Sequence, residues 1–390
     1  MNPQLLLLTL CQGLFLTNNV TFIAINGLVG LALAPQAWMA TLPVCGYVAG
    51  GALFAPLVAR HQRAWGRRRA FQFGLLVAMA ACALAAWAVS ERQFWMVVLA
   101  TLLAGYYNAN AALYRFAAIE LVPPSHKEKA ISWVLAGGIL GAVAGPNLAS
   151  ASKQLLVQPF AGAYLVLIGV ALMSLALISF IRFPALPQAG DGSPQGRSVR
   201  ELARQPAFVV AIMAAALGYG VMNLLMAATP IAMAQCNHPF SAAALVLEWH
   251  VLAMFVPSFF TGKLIKRFGV QPVMATGLLL NVACVAFALH GNDVMHFLGA
   301  LMALGLGWNF LFIGGSTLVT ETYAPEEKTR AQGALDFCVY TTMTVTSFSS
   351  GALVTTGGWT AMNLGSILPM ALLGVALLWL ARLRRRQAST

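Results

Sequence analysis

The chain has 390 residues, 59% of them hydrophobic and only 9% charged, against the roughly 25% charged residues of ordinary soluble domains. That composition excludes a soluble globular enzyme and points to an integral membrane protein. The net charge of +12 would suit a nucleic-acid partner, but the basic residues come in short bursts between apolar runs instead of on one surface, which excludes that reading too.

Apolar runs of about 20 residues, each able to cross a hydrocarbon core of roughly 30 Å as a helix, recur from end to end. They predict an all-α protein of about twelve spans, near 4–32, 36–59, 70–90, 94–121, 130–151, 161–182, 206–236, 242–262, 271–290, 295–320, 331–356 and 359–381. The first run lacks a small-residue cleavage site after it and reads as a span, not a removed signal peptide. Of the 23 lysines and arginines, five lie at 60–69, two at 127–129, four at 182–204, three at 263–267, two at 328–330 and four at 382–386. All six bursts fall on one side if the N-terminus is inside. Arg92 and Lys153 are left outside and Arg115 within a span. The bias predicts a multi-pass protein of the bacterial cytoplasmic membrane with both termini cytoplasmic. The six cysteines sit singly, mostly in spans, and predict free thiols.

The segment 183–205, FPALPQAGDGSPQGRSVRELARQ, is rich in Pro, Gly and charge. It reads as a cytoplasmic linker between an N-terminal six-helix bundle over 1–182 and a C-terminal one over 206–390. A repeat supports the division: Glu120, Pro124, Lys127, Lys129 and Ala130 recur 201 residues later as Glu321, Pro325, Lys328, Arg330 and Ala331. Each copy lies at the inner end of the fourth span of its half, where a carboxylate can pair with nearby cations. A second echo follows the second span of each half. GKLIKRFG at 262–269 resembles the G-x-L-x-D-R-x-G signature of the major facilitator superfamily, with Lys266 where that family usually has Asp; Gly66, Arg67 and Arg68 remain of the first copy. This resemblance implies two six-helix bundles rocking about a site near the membrane midplane. It names no substrate.

No phosphate-cradling loop, H-E-x-x-H or nucleophile elbow is present, so transport, not catalysis, is the expected class. Met222 and Met226 lie four apart in the seventh span, and His250 and Met254 four apart in the eighth. Each pair shares a helical face. Counted from an outer turn at Asn237 to Ser241, all four reach the bilayer middle at about 1.5 Å per residue. Three thioethers and an imidazole suit Cu(I) and suit Mg²⁺ or Ca²⁺ poorly. Two methionines at helical spacing are more often packing than ligands, whereas a histidine in an apolar span is harder to dismiss. Together, the M-x-x-x-M and H-x-x-x-M motifs resemble those of the CcoA-like copper importers of bacteria, as does RFAAIELVPPSHKEKAISWVLAGG at 115–138. The resemblance implies Met222, Met226, His250 and Met254 as copper ligands, copper as transported substrate with no prosthetic group, and a supply of copper to cytochrome oxidase assembly. A relative within that branch imports riboflavin, which leaves a riboflavin importer open.

Cys45 and Cys236 are candidate relay or redox thiols in the outer half of a cavity, though isolated buried thiols are the plainer reading. Arg115 and Glu120 read as stabilising and gating the inner end of the fourth span. Glu248 and Asp336 are intramembrane carboxylates, candidates for proton coupling or for anchoring a helix. The G-x-x-x-G-P run in GILGAVAGPN at 138–147 is similar to a signature of drug-exporting antiporters and keeps a proton-coupled exporter open. Its plainer reading is close helix packing.

Overall fold

The computed structural model describes residues 2–123, 130, 133–134, 136–184, 196–324 and 327–388. Every regular element among them is helical. Eight helices are long and apolar enough to cross a bilayer, nine if one bent pair counts as a single span.

The first half comprises α1 (Pro3–Leu33), α2 (Leu42–Ser90), α3 (Phe94–Ala111), α4 (Tyr114–Glu120), α5 (Gly138–Ser152) and α6 (Ala161–Phe180). The 49 residues of α2 would reach over 70 Å at about 1.5 Å each, far more than one crossing needs. Gly66, at φ 75° and ψ 167°, breaks the run into two spans, a conformation that glycine alone adopts freely. The short helix α7 (Val199–Leu202) leads into α8 (Pro206–Gln235), α9 (Phe240–Phe255), α10 (Ser258–Phe268), α11 (Val270–His290), α12 (Val294–Thr320), α13 (Lys328–Thr356), α14 (Gly358–Gly365) and α15 (Ile367–Ala388). Here Gly269, at φ 89° and ψ 160°, makes the same reversal between α10 and α11 as Gly66 makes in the first half. The weak sequence echo between the halves is thus a strong conformational one.

Joined at their breaks, with α3 and α4 as one span, α9 and α10 as another and α14 and α15 as a third, these helices make the expected twelve crossings in two bundles. The bend between α9 and α10 is 43°, at Pro257, which cannot donate to the helix ladder. Asn309 splints it: its Nδ2 donates to Met254 O and Ser258 Oγ, both at 2.7 Å, and its Oδ1 accepts from Thr261 Oγ1 at 2.6 Å. Helix α13 is too polar to be counted among the apolar helices because it carries the run TTMTVTSFSS at 341–350. That polarity is satisfied against α8, where Asn223 Nδ2 donates to Met343 O, Thr346 Oγ1 and Ser347 Oγ, and Ser350 Oγ donates to Leu224 O.

The G-x-x-x-G-P run has a packing role. A Cβ on Gly141 would come within 2.6 Å of the backbone of Leu16 and Thr17, and one on Gly145 within 2.9 Å of Val20 Cβ. Gly145 O also accepts from Thr21 Oγ1 at 3.0 Å, so α5 is seated on α1 at backbone contact.

The molecule has two unlike faces. One carries the basic bursts: Asn2 Nδ2 donates to Leu121 O, and Arg384 pairs with Glu321 at 2.7 Å, so both chain ends lie near the ends of the fourth and tenth spans. The two repeat carboxylates are both paired, but with unequal partners: Glu321 takes Arg384 from α15, and Glu120 takes Arg67, 2.6 Å away, from the turn at Gly66. Pro124, Lys127, Lys129 and Pro325 of the repeat lie outside the described residues. So do residues 185–195 of the linker, but its end docks on the second half. Arg197 pairs with the buried Glu327 at 2.8 Å, Arg330 donates to Gly196 O and Arg197 O, and Gln205 donates to Thr322 O.

At the opposite face the two halves touch. Thr41 Oγ1 donates to Ser347 O at 2.6 Å and accepts from Gly351 N at 2.8 Å. Cys45 Sγ donates to Thr344 O, and Asn147 Nδ2 donates to Glu248 Oε2 at 2.8 Å. Phe160 meets Phe240 edge-on at 4.9 Å, with Lys153 Nζ over both rings.

Candidate functional site

A cavity of about 510 Å³ lies between the halves, walled by α1, α2, α3 and α4 on one side and α8, α9, α10, α12 and α13 on the other. That volume lies in the range of pockets that enclose drug-sized organic ligands. Its lining is mostly apolar, with a small set of polar groups.

Met222, Met226 and Met254 all line the cavity. His250 does not. Although four residues before Met254, it is turned into the contact with α12, where Nδ1 lies 2.7 Å from Leu301 O. A carbonyl only accepts, so Nδ1 carries the proton and Nε2 keeps its lone pair, buried and without a partner. Gly305 permits the close approach: a Cβ there would lie 2.6 Å from His250 O. The four expected ligands therefore divide into three thioethers on the cavity wall and an imidazole behind it. Among the described residues no group of three or more His, Cys, Asp or Glu side chains could hold a metal ion.

The remaining expected residues also separate. Arg115 and Asp336 both line the cavity, one from each half. Glu120 is tied to Arg67 on the basic face and is absent from the cavity lining. Glu248 sits in the seam, bonded to Asn147. Cys45 and Cys236 are free, half-buried, and absent from the lining; Cys45 belongs to the seam through Thr344.

The sequence reading missed the aromatic wall. Trp308 and Phe312 of α12 lie parallel, interplanar angle 9° and centroids 5.1 Å apart. Tyr219 of α8 stands edge-on to both, at 5.2 and 5.4 Å, and Phe255 closes the corner at 6.1 Å from Trp308. All four line the cavity. Across it stands Tyr47, whose hydroxyl accepts from Asn19 Nδ2 at 3.2 Å. Trp308 Nε1 is buried without a hydrogen-bond partner. The signal was present in the sequence: Trp308 and Phe312 have the same i, i+4 spacing as the methionines, and Gln12, Asn19, Asn223 and Asn309 interrupt apolar spans. Such a wall offers flat, polarisable surface, and a planar ring stacked on it gains area burial plus the directional preference of aromatic pairs.

The sequence matches the Major Facilitator Superfamily over residues 5–247 and 211–390. It is 39% identical over 362 residues, 92% of this chain and 91% of the relative, to the riboflavin transporter RfnT of Brucella anthropi. It is 26% identical to an uncharacterized MFS-type transporter, YdeG, of Bacillus subtilis, over 90% of this chain and 86% of that one. The fold is similar to the crystal structure of the nucleoside transporter NupG, with a TM-score of 0.73 and 15% identity over 96% of this chain and 98% of that one. None of these relatives carries copper in its name, and the likeness to copper importers expected from the methionine motifs finds no support in them.

Proposed function

The chain belongs to the Major Facilitator Superfamily, and on that premise we propose that its cavity carries a planar, nitrogen-rich heterocycle of the flavin or nucleoside type across the bacterial cytoplasmic membrane by alternating access. The observation that carries the reading is the wall of Tyr219, Trp308, Phe312 and Phe255 in a cavity of about 510 Å³. A bare metal ion takes its binding energy chiefly from donor atoms and gains little from four rings. A tricyclic or bicyclic heterocycle gains more, since each ring stacked on an aromatic side chain is worth roughly 1–3 kcal/mol. The relative at 39% identity is a riboflavin transporter, which makes riboflavin the first solute to test. The basic face is cytoplasmic by the lysine and arginine bias. The closed seam then faces the periplasm and the cavity belongs to an inward-facing state, which importers and exporters both visit; import is the direction we propose, and uptake into cells tests it.

One observation favours a second reading, Cu(I) transport. Met222, Met226 and Met254 share the cavity wall, and the unpartnered Nε2 lone pair of His250 lies in the same helix as Met254. A change in the packing of α9 on α12 would be needed to bring His250 to the thioethers.

The experiment is titration of the purified protein with riboflavin, followed by quenching of flavin fluorescence, beside uridine and beside Cu(I) competed against a chromophoric chelator. The proposal expects saturable riboflavin binding that weakens roughly 10- to 100-fold in Trp308→Ala, from the stacking energy lost, and little change in Met222→Leu/Met226→Leu, a swap that nearly conserves volume. Tight Cu(I) binding abolished by that double substitution, without riboflavin binding, would establish the second reading instead.

A further inference from the structure

Stacking on an aromatic wall holds a ring but does not orient it within its plane. Orientation comes from polar groups at the ring's edge, and the cavity holds two charged ones. Arg115 enters from α4 in the first half and Asp336 from α13 in the second. They are near enough for Asp336 to feel the charge of Arg115, and Tyr340 that of both, yet neither forms an ion pair within 4.0 Å with any described residue. The guanidinium rests over the Phe116 ring, 4.8 Å from its centroid, and its Nε is buried without an acceptor. A buried charged donor left open is costly, and here the open donor belongs to a residue of the cavity wall. Of the other polar side chains on the second half's wall, Asn223 and Asn309 are already committed: they spend their amide hydrogens on α13 and on the bend at Pro257.

We infer that Arg115 and Asp336 read the polar edge of the carried heterocycle, the guanidinium donating to a ring carbonyl oxygen and the carboxylate accepting from the adjacent ring N–H. This rests on the heterocycle reading above and narrows it to rings with a neighbouring carbonyl and N–H, the imide or lactam edge that flavins and several nucleobases share. A fork-shaped donor and a carboxylate acceptor, one on each half, match that edge in both polarity and order. Because the two groups belong to different halves, a ring lying between them bridges the bundles, and a ring whose N–H is blocked loses the bridge to the second half alone.

The test uses the full-length purified protein, with riboflavin and its N3-methyl derivative as probes. The methyl group removes the one edge N–H and leaves the carbonyls. Wild type should prefer riboflavin by roughly 10- to 100-fold, the range for a hydrogen bond to a charged group. Asp336→Ala should bind both compounds alike, near the affinity of wild type for the methylated one, which also shows that the variant is folded. Arg115→Met should weaken both compounds, while Arg115→Lys, keeping charge without the fork, should recover only part of the loss. Equal binding of the two compounds by wild type, or a preference for riboflavin that persists in Asp336→Ala, overturns the assignment while leaving the heterocycle reading intact. Failure of wild type to bind either compound, or uridine, defeats the heterocycle reading itself.

Discussion

The two faces of the molecule hold themselves together in opposite ways. On the basic face the ion pairs Arg67 with Glu120 and Arg384 with Glu321 each join parts of one half, and Arg197 with Glu327 fastens the linker end to the second. On the other face Thr41 with Ser347 and Gly351, Cys45 with Thr344, Asn147 with Glu248, and Phe160 with Phe240 all join one half to the other. The salted contacts tie helix and loop ends within a bundle, while the seam relies mainly on hydrogen bonds and ring contacts. A seam of modest bonds can open and close within a transport cycle, whereas a seam of buried ion pairs would be slow to part, because breaking one leaves an uncompensated charge.

The contrast can be broken most severely at Gly351. A Cβ there would lie 2.4 Å from Thr41 Oγ1 and 2.8 Å from Thr41 N. Gly351→Val should hold the seam open at a cost of about 1–3 kcal/mol to the closed state. Substrate uptake should collapse, and a cysteine placed in the cavity should become reactive to a membrane-impermeant thiol reagent added outside. Unchanged uptake and reactivity would remove Gly351 from the seam. Thr41→Val comes next. It deletes a buried donor and a buried acceptor, and with them the bonds to Ser347 O and from Gly351 N, roughly 1–3 kcal/mol, so outside reactivity should rise about tenfold with uptake reduced rather than lost. Glu248→Leu removes only the partly exposed bond to Asn147, and a few-fold change in the same assay is expected from about 0.5–1.5 kcal/mol; an effect as large as that of Gly351→Val would mean that Glu248 does more than hold the seam.

The smallest effect on transport should come from the basic face. The carboxyl of Glu327 is held down at about 2, against an ordinary 4.5, by Arg197 and then by the backbone N–H groups of Ala324 and Arg197. Its group is charged in the folded protein well below the pH at which it would protonate in an unfolded chain. The stabilisation is therefore complete above about 4.5 and is lost as pH falls from there towards 2. Glu327→Gln should leave uptake at neutral pH within about twofold and still free the linker end. Protease cleavage near 196–205 should be faster than in wild type at neutral pH, and the two should converge as the pH is lowered towards 2. A variant that cleaved like wild type at neutral pH would show that Arg197 is held without Glu327.

The twelve crossings and their two-fold plan were legible because hydrophobic length, basic loops and a 201-residue echo are all read along the chain without knowing which helices touch. The kinship of Gly66 and Gly269 was half legible: the surrounding motif has decayed, and only their shared φ of 75° and 89° exposes it. The site was the least legible part. Spacing of four residues places His250 and Met254 on nearly one face, but four residues turn a helix through about 400°, and the remaining 40° is enough to put His250 against Leu301 while Met254 keeps the cavity. Trp308 and Phe312 follow the same spacing as the methionines, yet stacking at 9° depends on how α12 meets α8, which no single stretch encodes. Glu120 was expected to pair with a cation at the inner end of the fourth span, but which one was not legible. Its partner, Arg67, comes from the turn at Gly66, 53 residues away in the chain.

The most direct test of the central claim is uptake of radiolabelled riboflavin, uridine and copper by bacteria lacking their own riboflavin uptake, with and without this protein, and with Trp308→Ala as control. The protein should confer uptake of a heterocycle, riboflavin first, competed by unlabelled riboflavin, reduced at least tenfold by Trp308→Ala in keeping with the stacking energy, and with no gain in copper. Copper accumulation that depends on Met222 and Met226, with riboflavin and uridine uptake at background, would contradict that claim.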